Sequence, residues 1–250
     1  MFLFKIIHIN LSKKTMLKAI LFDMDGVIVD SEPLHKKAYF NMFNDIGIDV
    51  SEKLFESFTG QSTLKICRSL CKDFSLTNPP QELVDLKRKH FKYIFENDKD
   101  FKLIDGVLDL IKDYTDNGVV LVLASSASML TINNIFKRFD LDKYFISKLS
   151  GADLQASKPH PEIFIKAAKS SGFKKEECLV IEDSTNGIKA ANSAGIYCIG
   201  FDSFHSKNQD YSNADLVVND LSLITYEKIK IFLNYISYVL DHCRMSNHQR

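Results

Sequence analysis

Short unbroken apolar runs, each ending at a polar cluster and followed by a helical pattern, recur along this chain. Ala19–Phe22, Val119–Ala124 and Leu179–Ile181 are the clearest, too short for buried helices and long enough for buried strands. A strand that is apolar on every residue has both faces covered, and the helical segments between the runs supply the cover. The pattern predicts an α/β fold built on a parallel sheet. Tyr144–Ile146, Ile196–Ile199 and Leu216–Val218 read as further strands. Helices are expected over Val107–Thr115, Ser128–Phe139, Pro161–Ser170 and Gly187–Ala194, with Gly118, Gly172 and Gly195 as stop signals. An amphipathic helix over Thr225–Leu240 follows the last strand.

From Pro33 to Asp100 the strand pattern disappears. Helical spacing recurs over Pro33–Asn44, Ser51–Phe58, Thr63–Phe74 and Gln81–Asn97, broken by Gly47, Gly60 and the pair Pro79-Pro80. The chain therefore divides into an α/β core (residues 16–32 and 101–222) and a helical insertion (33–100). An N-terminal extension (1–15) and a C-terminal helix and tail (223–250) flank them. Met1–Ile9 is apolar, but Lys5 and His8 interrupt it and no small-residue cleavage site follows, so it does not read as a signal peptide. It is also too short to span a bilayer.

Composition narrows the partners. Of 250 residues, 45% are hydrophobic and 26% charged, as in an ordinary globular protein. Lys+Arg and Asp+Glu both count 32, which excludes a broad attraction to nucleic acid or to acidic membranes. The five cysteines are an odd number without metal-ligand spacing. They read as reduced thiols in a cytoplasmic protein.

The first apolar run stops at Asp23-Met24-Asp25-Gly26. In an extended chain, residues two apart point the same way, so Asp23 and Asp25 would converge, and Gly26 would let the chain turn at once. Converging carboxylates need a proton or a cation. A calcium loop of the EF-hand type fails, because counting from Asp23 its glycine and bidentate glutamate fall on Ile28 and Leu34. In open parallel sheets, ligands bind beyond the carboxyl ends of the strands. Two more runs end there in polar groups, one at Ser125-Ser126 and one at Glu182-Asp183, and a fourth loop offers Lys158 before Pro159. Four carboxylates, a hydroxyl and an ammonium suit a hard cation such as Mg2+ together with a phosphate.

These four pieces, in this order, resemble the motifs of the haloacid dehalogenase superfamily. Asp23-Met24-Asp25-Gly26 matches the first, Ser125 the second, Lys158 the third and Glu182-Asp183 the fourth. The resemblance implies a Rossmann-like core, and the insertion resembles the family's four-helix cap. Asp23–Glu32 and Ser157–Phe164 look most like β-phosphoglucomutase and related sugar-phosphate phosphatases. By the same resemblance, Asp23 is the nucleophile that forms an aspartyl-phosphate, and Asp25 is general acid and then base. Mg2+ would bind Asp23, the Asp25 backbone carbonyl and Asp183, with Glu182 as ligand or as a supporting group. Ser125 and Ser126 would hold the phosphoryl group, and Lys158 would keep Asp23 ionised.

Within the insertion, the resemblance assigns substrate contacts to His35, Gly60, Ser62 and Lys89. The mutase pattern carries an arginine after that serine, where this chain has Thr63, and a hydroxyl does not replace a guanidinium fork. The expectation is a monomeric Mg2+-dependent phosphatase acting on a small phosphorylated sugar or polyol. A β-phosphoglucomutase-type reaction stands second and a non-catalytic sugar-phosphate sensor third. The cap is expected to open and close about hinges near Ser31–Pro33 and Phe101–Asp105.

Overall fold

The computed structural model describes residues 17–247 except 59, 60, 205 and 207, and for 237–247 the backbone alone. The expected extension 1–15 and Gly60 lie outside the described residues. The chain begins with β1 (Ala19–Phe22) and passes through four helices: α1 (Glu32–Asp45), α2 (Glu52–Glu56), α3 (Thr63–Asp73) and α4 (Pro80–Asn97). It then alternates through α5 (Val107–Asp116), β2 (Val120–Ser125), α6 (Met129–Phe139), β3 (Phe145–Ser150), α7 (Glu162–Ser171), β4 (Cys178–Glu182), α8 (Thr185–Ala194), β5 (Tyr197–Phe201) and β6 (Leu216–Val218). It ends in α9 (Tyr226–Asn247). Two compact units result, one formed by Val29–Lys102 and the other by the described chain on either side. Among the described residues, no helix is long and apolar enough to cross a membrane.

The six strands form one parallel sheet in the order β3-β2-β1-β4-β5-β6. From β1 the chain builds outward on one side through β2 and β3, then returns to build the other side from β4. The order therefore reverses between β1 and β4, where a doubly wound sheet leaves its ligand crevice. The alternation of small and aliphatic residues explains why both faces are dry. Leu21, Val122, Val180 and Cys198 pack under Ile163, Phe164, Ala167, Ile188 and Ala191. On the opposite face Phe22 meets Tyr114 and Phe145 edge-on, with ring centres 6.5 and 5.8 Å apart. Burying each such large side chain is worth about 2 kcal/mol.

β3 runs further than its apolar stretch foretold, through Ser147-Lys148-Leu149 to Ser150. It is an edge strand, half-covered along most of its length, so the polar residues that obscured it in the sequence are tolerated there.

The inserted unit has its own core. Tyr39, Met42 and Phe43 of α1, Ile66, Cys67 and Leu70 of α3, and Leu83 and Val84 of α4 form one buried cluster with Val50 and Phe58. Ser51 and Ser62 begin α2 and α3 by accepting the backbone N–H groups of Leu54 and Lys65.

Candidate active site

Register brings the polar strand ends level. Phe22 pairs with Leu123 on one side and Ile181 on the other, so Asp23 stands beside Ala124 and Glu182, with Ser125 and Asp183 one residue beyond. The Asp23 N–H donates to the Ile181 carbonyl at 3.0 Å, which fixes the backbone at the strand's end. Beyond it the chain does not stay extended. It turns at Met24, whose carbonyl accepts from Ile28 N–H at 2.8 Å. Asp25 lies in this turn, half-buried and near enough to raise the Asp23 carboxyl, so the two aspartates approach without the extended run expected between them. Gly26 has φ +87°, and a Cβ there would run into the Asp183 carboxylate. Glycine thus serves both the left-handed backbone and the close approach of two loops.

Lys158 arrives from the loop before α7 and is buried with all three hydrogens used. Its Nζ donates to Asp23 Oδ1 at 2.5 Å, Glu182 Oε1 at 2.8 Å and the Ala124 carbonyl at 2.9 Å. Glu182 is bound on both oxygens, because Oε2 accepts from Ser184 N–H at 2.7 Å and Ser184 Oγ at 2.9 Å. Ser184 also caps α8 by accepting Gly187 N–H at 3.1 Å. A Cβ on Gly187 would strike the Glu182 carboxylate, so the first turn of α8 is seated directly on that side chain. Asp183 Oδ2 accepts from the Ser206 hydroxyl.

The charges do not balance. Asp23, Glu182 and Asp183 each offer an oxygen within 4.8 Å of the others, and among the described residues one ammonium faces them. Burial pushes the Asp23 carboxyl up to about 7; Lys158 pulls it down, and Glu182 and Asp25 push it further up. Burial, with Glu182 and Asp23 beside it, holds the Asp183 carboxyl well above its ordinary range. Burial alone would lower the Lys158 pKa, but Asp23 and Glu182 raise it above the ordinary lysine range. The ammonium is therefore permanent, yet alone it does not hold Asp23 fully ionised at neutral pH. Among the described residues, Asp23 Oδ2 and Asp183 Oδ1 keep no hydrogen-bond partner. Two carboxylate oxygens left open in this way, with excess negative charge around them, are a donor set for a hard divalent cation.

Ser125 is fully buried at the end of β2, where its Oγ accepts Ala127 N–H at 3.0 Å and keeps its own proton to donate. Ser126 is exposed on the same loop. The sheet edge thus brings together Asp23, Asp25, Ser125, Lys158, Glu182 and Asp183.

His35, Ser62 and Lys89 belong to the inserted unit. Ser62 is an exposed helix cap, and Lys89 is exposed on α4. The lysine that meets His35 is Lys87, buried, with Nζ 2.6 Å from His35 Nδ1 and 5.0 Å from the ring centres of both Tyr39 and Phe91. The His35 ring stacks on Phe91 at 4.4 Å. Burial, and next the Lys87 charge, hold His35 well below the usual histidine range, so it is neutral and accepts from the ammonium. Lys87 was legible as the polar member of the stripe Leu83-Lys87-Phe91, four residues apart on the buried face of α4. Ser184 was legible as a cap of α8, as Ser184 or Thr185 before Gly187, but its bonds to Glu182 were not, and Ser206 carried no signal beyond being a polar loop residue.

A six-stranded parallel α/β core whose acidic site sits at its topological switch, with a helical insertion after the first strand, defines a phosphotransferase-like class. The chain belongs to the haloacid dehalogenase-like hydrolase family, whose model matches residues 20–201. It is 29% identical over 228 residues to a phosphorylated carbohydrates phosphatase of Thermotoga maritima, across 90% of this chain and all of that one. It is 32% identical over 189 residues to the Arabidopsis thaliana chloroplastic protein Suppressor of Quenching 1. That match covers 72% of this chain and spans 17% of the longer relative. A crystal structure of β-phosphoglucomutase from Clostridium difficile is similar with a TM-score of 0.72 and 26% identity, over 90% of this chain and all of that one.

Proposed function

We propose that the protein is a Mg2+-dependent phosphatase that hydrolyses a small phosphorylated sugar or polyol through an aspartyl-phosphate. The observation that carries this reading is the convergence of Asp23, Lys158 and Asp183 at one strand-edge crevice. An oxygen of Asp23 attacks phosphorus, and the bond from phosphorus to the ester oxygen breaks. Asp25 gives its proton to the departing alkoxide. It then takes a proton from the water that attacks the aspartyl-phosphate, which releases inorganic phosphate and restores Asp23. Lys158 holds one Asp23 oxygen in place and offsets charge on the transferring group, and Ser125 donates to a phosphoryl oxygen. Asp23 and Asp183 would hold a Mg2+ ion, which when bound would supply the second positive charge that keeps Asp23 an anion. Glu182, with both oxygens engaged, fixes Lys158 and the start of α8.

The choice of phosphorylated carbohydrate follows the Thermotoga maritima relative. The similarity to β-phosphoglucomutase favours a mutase as the second reading. Thr63 counts against it: it is half-buried, and a hydroxyl cannot clamp a second phosphate as an arginine does.

Phosphate release from a panel of sugar and polyol phosphates, with Mg2+ and then with chelator, tests the reading. Turnover that needs Mg2+ and is abolished in Asp23→Asn is the expected result. Conversion of β-glucose 1-phosphate to glucose 6-phosphate, primed by the bisphosphate and without net phosphate release, would establish the mutase instead. Binding without turnover, unchanged in Asp23→Asn, would leave a sensor.

A further inference from the structure

We infer that the segment between β5 and β6 is a support for the cation site, and that Ser206 is a positioning residue acting through Asp183. The inference rests on the cation site proposed above, and it concerns a loop that belongs to none of the four motif regions.

The hydroxyl chain has a direction. Ser206 Oγ donates to Asp183 Oδ2, so its single proton is committed there once Asp183 is ionised. Ser203 Oγ lies 2.9 Å from Ser206 Oγ and must then be the donor to it. Ser203 is buried, and its N–H donates to the Phe201 carbonyl at 2.9 Å, which anchors the relay to the end of β5. Ser206 N–H in turn donates to the Ser203 carbonyl at 3.2 Å, a second bond between the two serines.

A second tie holds the same segment to the residues just after Asp183. Gln209 Oε1 accepts from both the N–H and the hydroxyl of Thr185, at 2.8 and 2.9 Å. Thr185 Oγ1 accepts from Asp210 N–H at 2.7 Å. The loop after β5 is thus fastened to the Asp183–Thr185 stretch at two points three residues apart.

The consequence for Asp183 is orientation. A buried carboxylate able to rotate about its Cβ–Cγ bond would present either oxygen to a cation. A donor fixed on Oδ2 leaves Oδ1 as the oxygen free to take a cation. Gly26 lies close against the same carboxylate, since a Cβ there would overlap it. Donors to the distal oxygen of a metal carboxylate typically change metal affinity by tenfold or more when removed.

Calorimetric titration of the full chain with Mg2+ alone, and with Mn2+ alone, tests the proposal without reference to turnover. Ser206→Ala should weaken the affinity about tenfold, Ser203→Ala should weaken it less, and Ser206→Thr, which keeps the hydroxyl, should restore most of it. In phosphatase assays the Ser206→Ala loss should appear as a higher Mg2+ requirement, with kcat largely recovered at saturating Mg2+. Matching circular dichroism and melting of Ser206→Ala and Ser206→Thr would separate the hydroxyl's effect from misfolding. Wild-type affinity retained in Ser206→Ala, or an equal loss in Ser206→Thr, would overturn the role of Ser206 while the cation site stands. Failure of the wild-type chain to bind either metal would overturn the cation site itself, and this inference with it.

Discussion

At the scale of single residues, Lys158 decides whether three buried carboxylates can share one crevice. Lys158→Met would keep much of the stem's volume but strip Asp23, Glu182 and the Ala124 carbonyl of their common donor. The expected loss in kcat is about 100- to 1,000-fold. Added Mg2+ should raise the melting temperature of Lys158→Met more than that of the wild type, because among the described residues Lys158 is the cation it replaces. An equal Mg2+ response in both proteins would contradict this. His35 makes a second prediction, about pH. Its folded pKa lies well below the unfolded value near 6.5, so below that pH the unfolded chain binds a proton that the folded one refuses. Its contribution to stability is full above about pH 6.5 and falls by about 1.4 kcal/mol for each unit towards the folded value. Denaturant midpoints at several pH values, for wild type and His35→Gln, should show the steeper acid loss in the wild type. The residues that carry this pair also show how the sequence misdirects. The run Lys87-Arg88-Lys89-His90 looks solvated throughout, and the resemblance singles out Lys89, two places beyond the lysine that is buried. Helical spacing from Leu83 and Phe91, rather than charge, identifies the buried one.

At the scale of elements, the strand ends were legible because continuous apolar runs must stop where the sheet meets solvent. Asp23, Ser125 and Glu182-Asp183 were visible as those stops. The turn after Asp23 was less so: a two-residue periodicity cannot foresee that the chain leaves the extended conformation at Met24. Gly26 and Gly47 isolate what the turn requires. Both have left-handed φ, +87° and +69°, but a Cβ on Gly47 would meet nothing within 4 Å, whereas one on Gly26 would overlap the Asp183 carboxylate. Gly47→Ala should cost about 1–2 kcal/mol of stability, the backbone penalty alone, and leave metal affinity unchanged. Gly26→Ala should carry the same penalty and in addition lose metal binding and turnover. Calorimetric metal titration beside chemical denaturation distinguishes the two, and intact metal binding in Gly26→Ala would show that the loops can part without cost to the site. The second half of β3, Ser147–Ser150, and Ser206 were beyond sequence reasoning for a shared reason. An edge strand and a surface loop are both polar, and their partners are set by topology rather than by local pattern.

At the scale of the whole molecule, the inserted residues can be weighed against the core that carries the site. Ile104 N–H donates to the Ile28 carbonyl at 2.9 Å, so the two ends of the core chain lie side by side where the insertion leaves and returns. The core has its own apolar cluster, distinct from the one inside Val29–Lys102. Joining residues 28 and 103 through a few Gly and Ser residues therefore asks for a short closure of small entropic cost. The shortened chain should fold cooperatively, with the far-ultraviolet dichroism of an α/β protein. It should also bind Mg2+ with the affinity of the full chain, because Asp23, Asp183 and Ser206 all belong to the part that remains. Its hydrolysis of different sugar phosphates should converge on one slow rate, if the substrate contacts that the family resemblance implies for His35, Ser62 and Lys89 lie in the excised unit as expected. A shortened protein that binds Mg2+ but still ranks the sugar phosphates as the full chain does would move that choice into the core. One that exposes apolar surface and melts without a transition would show that the core needs the insertion in order to fold.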